Sequence, residues 1–310
     1  MLGEDPSALL GREKNGFARG WPAGQPSAAL FPDTNPFIVQ IVDRPCLFLL
    51  VLLAASTVAA AQIPAKAPTT QGALLPAAPA PIALAAGNTA VLVVDMENDF
   101  GADGGMFDRA GVDISMIKKV VAPTALVLAA ARRAGLPVIY LRMGYREDLA
   151  DLGREGSPNR VRHLHYMHVG ELMTAPTGAK SRILIRDNWG TEIIPALQAQ
   201  PGDLVLYKTR FSGFYQTELD AALKRLGIKN LVVTGCTTSV CVESTVRDAM
   251  FRDYCPIVLA DCTAEPIGNN FSRSNHEASL LTIQSLFGWV STSKEFVAAF
   301  ASQPSAALNK

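Results

Sequence analysis

The chain has 310 residues, no net formal charge, 49% hydrophobic residues and 18% charged residues. This composition supports a sizeable core, and the lack of a basic excess argues against a nucleic-acid-binding protein. No two cysteines have the C-x-x-C spacing of a zinc site. Two of them flank a predicted strand that would hold them apart, so unpaired core thiols are expected. The five cysteines are Cys46, Cys236, Cys241, Cys255 and Cys262.

The first 87 residues differ in composition from the rest of the chain. Residues 1–41 are expected to be disordered or not translated, because their Gly, Pro, Ala and Ser content shows no sustained period. Residues 42–61 combine a basic residue, a short apolar run and an A-x-A ending, which is typical of a secretory signal peptide cleaved after Ala61. Residues 62–87 are rich in Ala and Pro and predict a linker.

The signal-peptide-like segment lies far from Met1, so we expect the true start to be downstream of that residue. An uncleaved anchor and an apolar tract without a targeting role are the alternatives. The segment predicts a periplasmic or secreted protein with no stable membrane association after cleavage. A cytoplasmic location is the second interpretation.

Residues 88–302 alternate predicted strands with predicted helices. Buried-strand patterns occur at 90–94, 137–142, 204–208, 230–235, 256–261 and 289–291. Helical patterns cover 122–134, 217–227, 278–286, 293–301 and the segment that begins at Cys241. This alternation predicts an α/β protein with a central, mostly parallel sheet covered by helices on both faces. Residues 303–310 would form a tail.

Three predicted strands lead to side chains that can do chemistry, namely Asp95, Lys208 and Cys241. The carboxyl ends of parallel strands meet at one edge of the sheet, where α/β proteins place their sites. Each residue alone has a structural explanation: a turn cap, a solvated strand end or a packed thiol. Together, Lys208 would lower the pKa of the Cys241 thiol, and Asp95 would exchange a proton with it. The set therefore predicts a cysteine nucleophile at a helix N-terminus.

Three of the four histidines, His163, His165 and His168, fall within an irregular stretch between residues 143 and 180. Their spacing fits no single helix face, and no carboxylate accompanies them in a metal-binding order. A polar loop or helix near the site entrance is therefore preferred over a metal-dependent hydrolase, and no metal or cofactor is predicted. His276, at a predicted helix start, is a weaker partner for a thiol.

Two motifs and one strand end resemble the isochorismatase-like cysteine hydrolases, over about residues 88–300. They are residues 93–100 (VVDMENDF), the strand ending in Lys208, and residues 235–242 (GCTTSVCV). The resemblance implies a Rossmann-like three-layer α/β/α fold and a catalytic triad of Asp95, Lys208 and Cys241. It also implies a homodimer or homotetramer. Glu97 departs from the motif, because the family usually has Gln there.

The resemblance also implies roles for the turn before Cys241 and for several aromatic residues. The Thr237–Thr238 bond matches a cis peptide of the family, and the N–H groups of Thr237 and Cys241 would form an oxyanion hole. Phe100, Phe214 and Tyr215 would line the substrate pocket.

Within the family, the chain is most similar to the ureidoacrylate amidohydrolases, on residues 156–159 (GSPN), 210–214 (RFSGF) and 287–291 (FGWVS). This implies a cysteine amidohydrolase that cleaves a carbon–nitrogen bond of a small ureido or amide substrate through an acyl- or carbamoyl-enzyme. A biuret- or nicotinamide-type amidase and a non-catalytic secreted binding protein are the alternatives. The resemblance implies a role in pyrimidine degradation, which is a cytoplasmic pathway, and a secretory signal does not suit that location.

Overall fold

The computed structural model describes residues 72–268, 272 and 274–301. Four predictions lie wholly or partly outside these residues: the disordered segment 1–41, the signal-peptide-like segment 42–61, the start of the linker and the tail 303–310. Within the described part of the chain, no helix is both long enough and apolar enough to cross a membrane.

The described residues form ten strands and eight α-helices. The strands are β1 (Ala73–Leu75), β2 (Ile82–Leu84), β3 (Thr89–Val94), β4 (Val138–Met143), β5 (Leu172–Thr174), β6 (Lys180–Arg182), β7 (Leu204–Lys208), β8 (Asn230–Cys236), β9 (Cys255–Ala264) and β10 (Trp289–Ser291). The helices are α1 (Asn98–Gly101), α2 (Met106–Arg109), α3 (Ser115–Arg133), α4 (Pro158–His165), α5 (Leu219–Arg225), α6 (Glu243–Met250), α7 (Asn275–Thr282) and α8 (Ser293–Ala301).

A six-stranded sheet in the order β10-β9-β8-β3-β4-β7 forms the middle layer, and all its neighbouring strands are parallel. Alternate residues of β3 enter two different cores, because successive side chains of a strand point to opposite faces. Val91 and Val93 pack with residues of α3 and α8, whereas Leu92 and Val94 pack with residues of α5 and α6. The predicted three-layer α/β/α fold is confirmed.

The strand order places a topological switch point between β3 and β8. From β3 the chain first builds one side of the sheet, through β4 and β7, and then returns to build β8, β9 and β10 on the other side. Helices leave the two central strands in opposite directions at such a point, which opens a crevice at their carboxyl ends. The ends of β3 and β8 are therefore where this architecture places a site.

Helix α3 is longer than the sequence predicts, because it begins at Ser115 and contains Pro123 in its interior. An internal proline removes one backbone hydrogen bond and normally favours a helix boundary. Here the fully buried Ile117 and Val127, on either side of the proline, belong to the same core. Packing of a continuous apolar face thus outweighs the local cost.

The linker prediction is wrong for residues 72–87. Strands β1 and β2 pair there as an antiparallel hairpin, and Leu75 and Leu84 are fully buried in the core shared with α3. The hydroxyl of Ser291 donates to the carbonyl of Pro76 at 2.6 Å, which ties the hairpin to β10. Burial of alternate leucines supplies the stability that an Ala/Pro-rich composition alone does not indicate.

Candidate active site

A buried ion pair joins the ends of β3 and β7. Asp95 follows β3, Lys208 ends β7, and the distance between Asp95 Oδ2 and Lys208 Nζ is 2.8 Å, with both side chains at most 1% exposed. Strand β4 lies between their strands, so the lysine side chain crosses Met143 and lies 3.3 Å from its sulfur. The ammonium also donates to the carbonyl of Arg210 at 3.3 Å. The lysine is thus held on three sides.

The thiol of Cys241 completes this cluster from the other side of β3. After β8 the chain forms a π-helical turn, Thr238–Val242, which continues into α6 and carries Cys241. Asp95 and Lys208 both act electrostatically on the thiol, and Cys241 is only 6% exposed. The structure therefore brings together the three residues that the strand ends singled out.

Close backbone contact between β8 and β3 fixes the position of this turn. Gly235 has a φ of 116°, and a Cβ atom there would lie 2.0 Å from the carbonyl oxygen of Val94. Only glycine fits such a contact. The next residue, Cys236, is fully buried, and its sulfur donates to the carbonyl oxygen of Asp95 at 3.2 Å. This second thiol is used to join the two strand ends.

Burial dominates the electrostatics of the cluster. Burial raises the pKa of the Cys241 thiol, Asp95 raises it further, and Lys208 lowers it by less. The predicted lowering by Lys208 is thus present, but removal from water outweighs the ammonium and the net pKa of the thiol rises. Burial alone would lower the pKa of Lys208, but Asp95 and Cys241 keep it above its ordinary value. In the resting site the thiol is protonated and the lysine is charged.

These directions predict the alkylation behaviour of the free protein. We expect Cys241 to react slowly with iodoacetamide at neutral pH and about tenfold faster per pH unit above it, since only the thiolate reacts. Lys208→Met removes the charge that lowers the thiol pKa and slows the reaction. Asp95→Asn removes the charge that raises it and speeds the reaction. Peptide mass mapping measures the rates, with half-buried Cys255 as the internal reference. The opposite order of the two variants would contradict this electrostatic account.

The cis peptide bond of the site lies between Cys236 and Thr237, so the predicted Thr237–Thr238 position is wrong by one residue. The motif contains successive threonines, and its pattern alone does not fix which bond is cis. The carbonyl of Thr237 accepts hydrogen bonds from the N–H groups of Val240 and Val242 at 3.1 and 3.2 Å. The turn is thus folded back on Thr237.

A carboxylate that the sequence reasoning missed anchors this turn. Glu265 directly follows β9 and is fully buried. Its Oε2 accepts hydrogen bonds from the N–H and the hydroxyl of Ser239, at 2.7 and 2.6 Å. The sequence pattern could have identified Glu265, because it is an acidic residue close to the end of a predicted strand at the same sheet edge. His276 also meets the turn, with its Nδ1 2.9 Å from Thr238 Oγ1.

The three predicted pocket residues have different surroundings. Phe100 is buried and packs edge-on against Phe107, with ring centroids 4.9 Å apart. Phe214 is buried against Tyr254 at 5.8 Å. Tyr215 is 42% exposed and lies under the guanidinium of Arg210. Their role in substrate binding stays a prediction.

The three clustered histidines also separate in space. His163 is fully buried, and its Nδ1 lies 2.6 Å from the carbonyl oxygen of Asn159. His165 is exposed, and His168 Nδ1 lies 2.9 Å from Glu171 Oε1 at the surface. Across the residues that the structure describes, no group of three or more His, Cys, Asp or Glu side chains could hold a metal ion.

Comparison with known proteins agrees with the fold. The isochorismatase-domain family model matches residues 89–295. The ureidoacrylate amidohydrolase RutB of Variovorax paradoxus is 40% identical over 252 residues, which cover 80% of this chain and 97% of the relative. The protein of the same name from Methylobacterium radiotolerans is 42% identical over 231 residues, which cover 74% and 85%.

A solved structure gives the same result. The cysteine hydrolase from Pseudomonas syringae pv. phaseolicola superposes with a TM-score of 0.59 at 30% identity, over 76% of this chain and 99% of that one. The fold and the cluster define a three-layer α/β/α protein with a thiol, a carboxylate and an ammonium buried at its switch point. The chain belongs to the isochorismatase family. It is a hydrolase acting on carbon–nitrogen bonds other than peptide bonds.

Proposed function

We propose that the protein is a cysteine amidohydrolase that cleaves a small ureido substrate of the ureidoacrylate type, with Cys241, Asp95 and Lys208 as its catalytic triad. The observation that carries this proposal is the buried cluster, in which the carboxylate of Asp95 pairs with the ammonium of Lys208 at 2.8 Å and acts electrostatically on the thiol of Cys241. The substrate class is supported by the relatives that bear the name ureidoacrylate amidohydrolase, at 40% and 42% identity.

The first half of the reaction forms a bond between sulfur and carbon. Asp95 takes the thiol proton while the sulfur of Cys241 attacks the substrate carbonyl carbon, and the carbonyl electron pair moves onto oxygen. In this proposal the N–H groups of Thr237 and Cys241 stabilise that oxyanion. Lys208 keeps its charge throughout and holds the carboxylate of Asp95 in place.

The second half of the reaction releases the products. The oxyanion collapses, the carbon–nitrogen bond breaks, and Asp95 gives its proton to the departing nitrogen. This leaves an acyl- or carbamoyl-Cys241. Asp95 then removes a proton from a water molecule, whose oxygen attacks the same carbon. The acid departs, and the sulfur recovers its proton from Asp95, so that one water is consumed per bond cleaved.

The protonated resting thiol suits this scheme. Burial raises the pKa values of both Cys241 and Asp95, so the two groups compete for one proton in the same low-dielectric site. Direct transfer of that proton between the two groups needs no water. The thiolate then forms only when a carbonyl is present to accept its electrons, which protects the thiol from unrelated reagents.

A substrate panel tests this function. Ammonia release is measured for ureidoacrylate, biuret, nicotinamide and a simple aliphatic amide, with the Cys241→Ala protein as the blank. We expect kcat/KM for ureidoacrylate to exceed that of each other compound by at least about tenfold, which corresponds to about 1.4 kcal/mol in transition-state binding. A preference for nicotinamide or the simple amide would contradict the substrate class. No release above the blank from any compound would favour a binding protein on this scaffold.

A further inference from the structure

Glu97 is a buried carboxyl group that the scheme above does not use. It lies two residues after Asp95, directly before α1, and its side chain is fully buried. Its carbonyl accepts hydrogen bonds from the N–H groups of Phe100 and Gly101, both at 3.1 Å, and its backbone forms a β-bridge with Ile193. The main chain is thus fixed, so the carboxyl group cannot swing out to water without local unfolding.

Neither carboxyl oxygen of Glu97 has a hydrogen-bond partner or an ion-pair partner among the residues that the structure describes. The other two buried carboxyl groups nearby do have partners. Asp95 has the ammonium of Lys208. Asp99 accepts hydrogen bonds from the N–H groups of Met106 and Leu184, at 3.2 and 2.8 Å. The oxygens of Asp95 also lack a hydrogen bond, but Asp95 has its ion pair, so among the three carboxyl groups Glu97 alone has neither a hydrogen bond nor an ion pair in the described chain.

The charges around Glu97 come from every element packed against it. The acidic groups are Asp95 after β3 and Asp99 in α1. The cations are Arg142 in β4 and Lys208 in β7. Glu97 also raises the pKa of the Cys236 thiol in β8. Both cations interact with groups other than Glu97. Lys208 pairs with Asp95, and Arg142 donates from Nε and Nη2 to the carbonyl and hydroxyl oxygens of Thr191, at 2.5 and 3.4 Å.

A carboxylate without a partner is unfavourable in such a place, and a buried acid in that position keeps its proton instead. Burial raises the pKa of Glu97 well above its ordinary value, and the neighbouring Asp95 and Asp99 raise it further. Arg142 and Lys208 act in the opposite direction by less. Geometry and electrostatics thus agree on the neutral form.

We propose that Glu97 is a positioning residue that works as a neutral carboxylic acid. Because Glu97 keeps its proton, Asp95 is the only carboxylate that pairs with the ammonium of Lys208. Lys208 is the one fully buried cation of the described chain, and a second carboxylate would compete for it. The neutral acid fills the same volume without competing. The positioning role rests on the proposed function of Asp95, whereas the neutral state of Glu97 does not.

Glu97→Gln tests the neutral state through the pH dependence of stability. A glutamate keeps its proton in the folded wild-type protein but loses it on unfolding above the ordinary pKa of 4.5. The folded state then binds one more proton, so the folding equilibrium constant falls about tenfold per pH unit until the raised pKa is reached. Glutamine lacks this dependence. The folding constant of the variant relative to wild type should rise with pH between 6 and 8 in urea titrations, by up to about 100-fold.

Asp99→Asn is the matched control, because it makes the same change of acid to amide in the same buried segment. Burial raises the pKa of Asp99 to about 6, and the two N–H donors limit that rise. Above pH 7 its folding constant relative to wild type should therefore stay flat. We also expect it to lie below 1, because an amide NH₂ would face an N–H donor.

Two further readouts separate positioning from mere packing. At pH 7 Glu97→Gln should keep kcat within about threefold of wild type, since the amide replaces the neutral acid. Glu97→Ala should lose most of its turnover, and the infrared band of a protonated carboxyl group at pH 8 should be present in wild type and absent in Glu97→Gln. If Glu97→Gln fails to fold, loss of the band in Glu97→Ala decides.

A flat Glu97→Gln ratio between pH 6 and pH 8, or no protonated carboxyl band at pH 8, would overturn the neutral state. A kcat for Glu97→Gln as low as that of Glu97→Ala would overturn the positioning role. These failures differ from failure of the proposed function, which would appear as full activity of Cys241→Ala while the pH-dependent ratio persists.

Discussion

Cys241→Ala should lower kcat on the order of 10⁴-fold or more, because no other group in the site can replace the nucleophile. Cys236, the neighbouring thiol, is fully buried and donates its hydrogen to the carbonyl of Asp95, so it does not face the substrate. Water activated by Asp95 alone would lack the covalent step. Ammonia release at saturating substrate measures the loss, and circular dichroism confirms that the variant is folded.

Cys262→Ala is the control for this change. Cys262 is also fully buried, but it lies in β9 and packs in the core shared with α3. Loss of its sulfur should cost about 1 kcal/mol or more of stability with little effect on kcat. Cys241→Ala retaining more than a tenth of wild-type turnover would show that the thiol is not the nucleophile.

Breaking the Asp95–Lys208 pair should affect both stability and turnover. Each of Asp95→Asn and Lys208→Met leaves one charge buried without its partner, which costs about 3–5 kcal/mol of folding free energy. Turnover should fall at least about 10³-fold in both, through loss of the proton carrier in one and of its counter-charge in the other. Urea unfolding and ammonia release measure the two effects.

The double variant separates these effects. With both charges removed, Asp95→Asn/Lys208→Met should be more stable than either single variant, because no uncompensated charge remains, yet it should stay inactive. The exposed pair Lys224–Asp220 in α5, at 2.7 Å, is the control, and its coupling should be below about 1 kcal/mol. Strictly additive losses at Asp95 and Lys208 would contradict a direct buried interaction.

The sequence was sufficient to predict the three-layer architecture and the three strands whose ends lead to the site. Strands β7 and β10 have the predicted bounds, since each is a short run of mainly β-forming residues with clear turn residues beside it. Parallel pairing then forces Asp95, Lys208 and Cys241 to one edge of the sheet, whatever the details of packing. The meeting of these three residues at one edge of the sheet was therefore predictable from the period of the apolar residues.

Features that depend on burial and long-range contacts were not predictable in this way. The net pKa of the Cys241 thiol follows from its removal from water, which the sequence does not measure. The anchoring of Ser239 by Glu265 joins residues from two different strand ends. The hairpin of β1 and β2 depends on a core built mostly by residues after position 89. Local composition carries no information about such partners.

The mass of the enzyme caught during turnover tests the central claim most directly. Enzyme mixed with excess ureidoacrylate is quenched in acid within the first turnover and digested, and the peptide that contains Cys241 is weighed. We expect one acyl or carbamoyl group on that peptide, and no adduct in the Cys241→Ala protein. Product formation with Cys241 unmodified at every quench time, or an adduct on another residue, would contradict it.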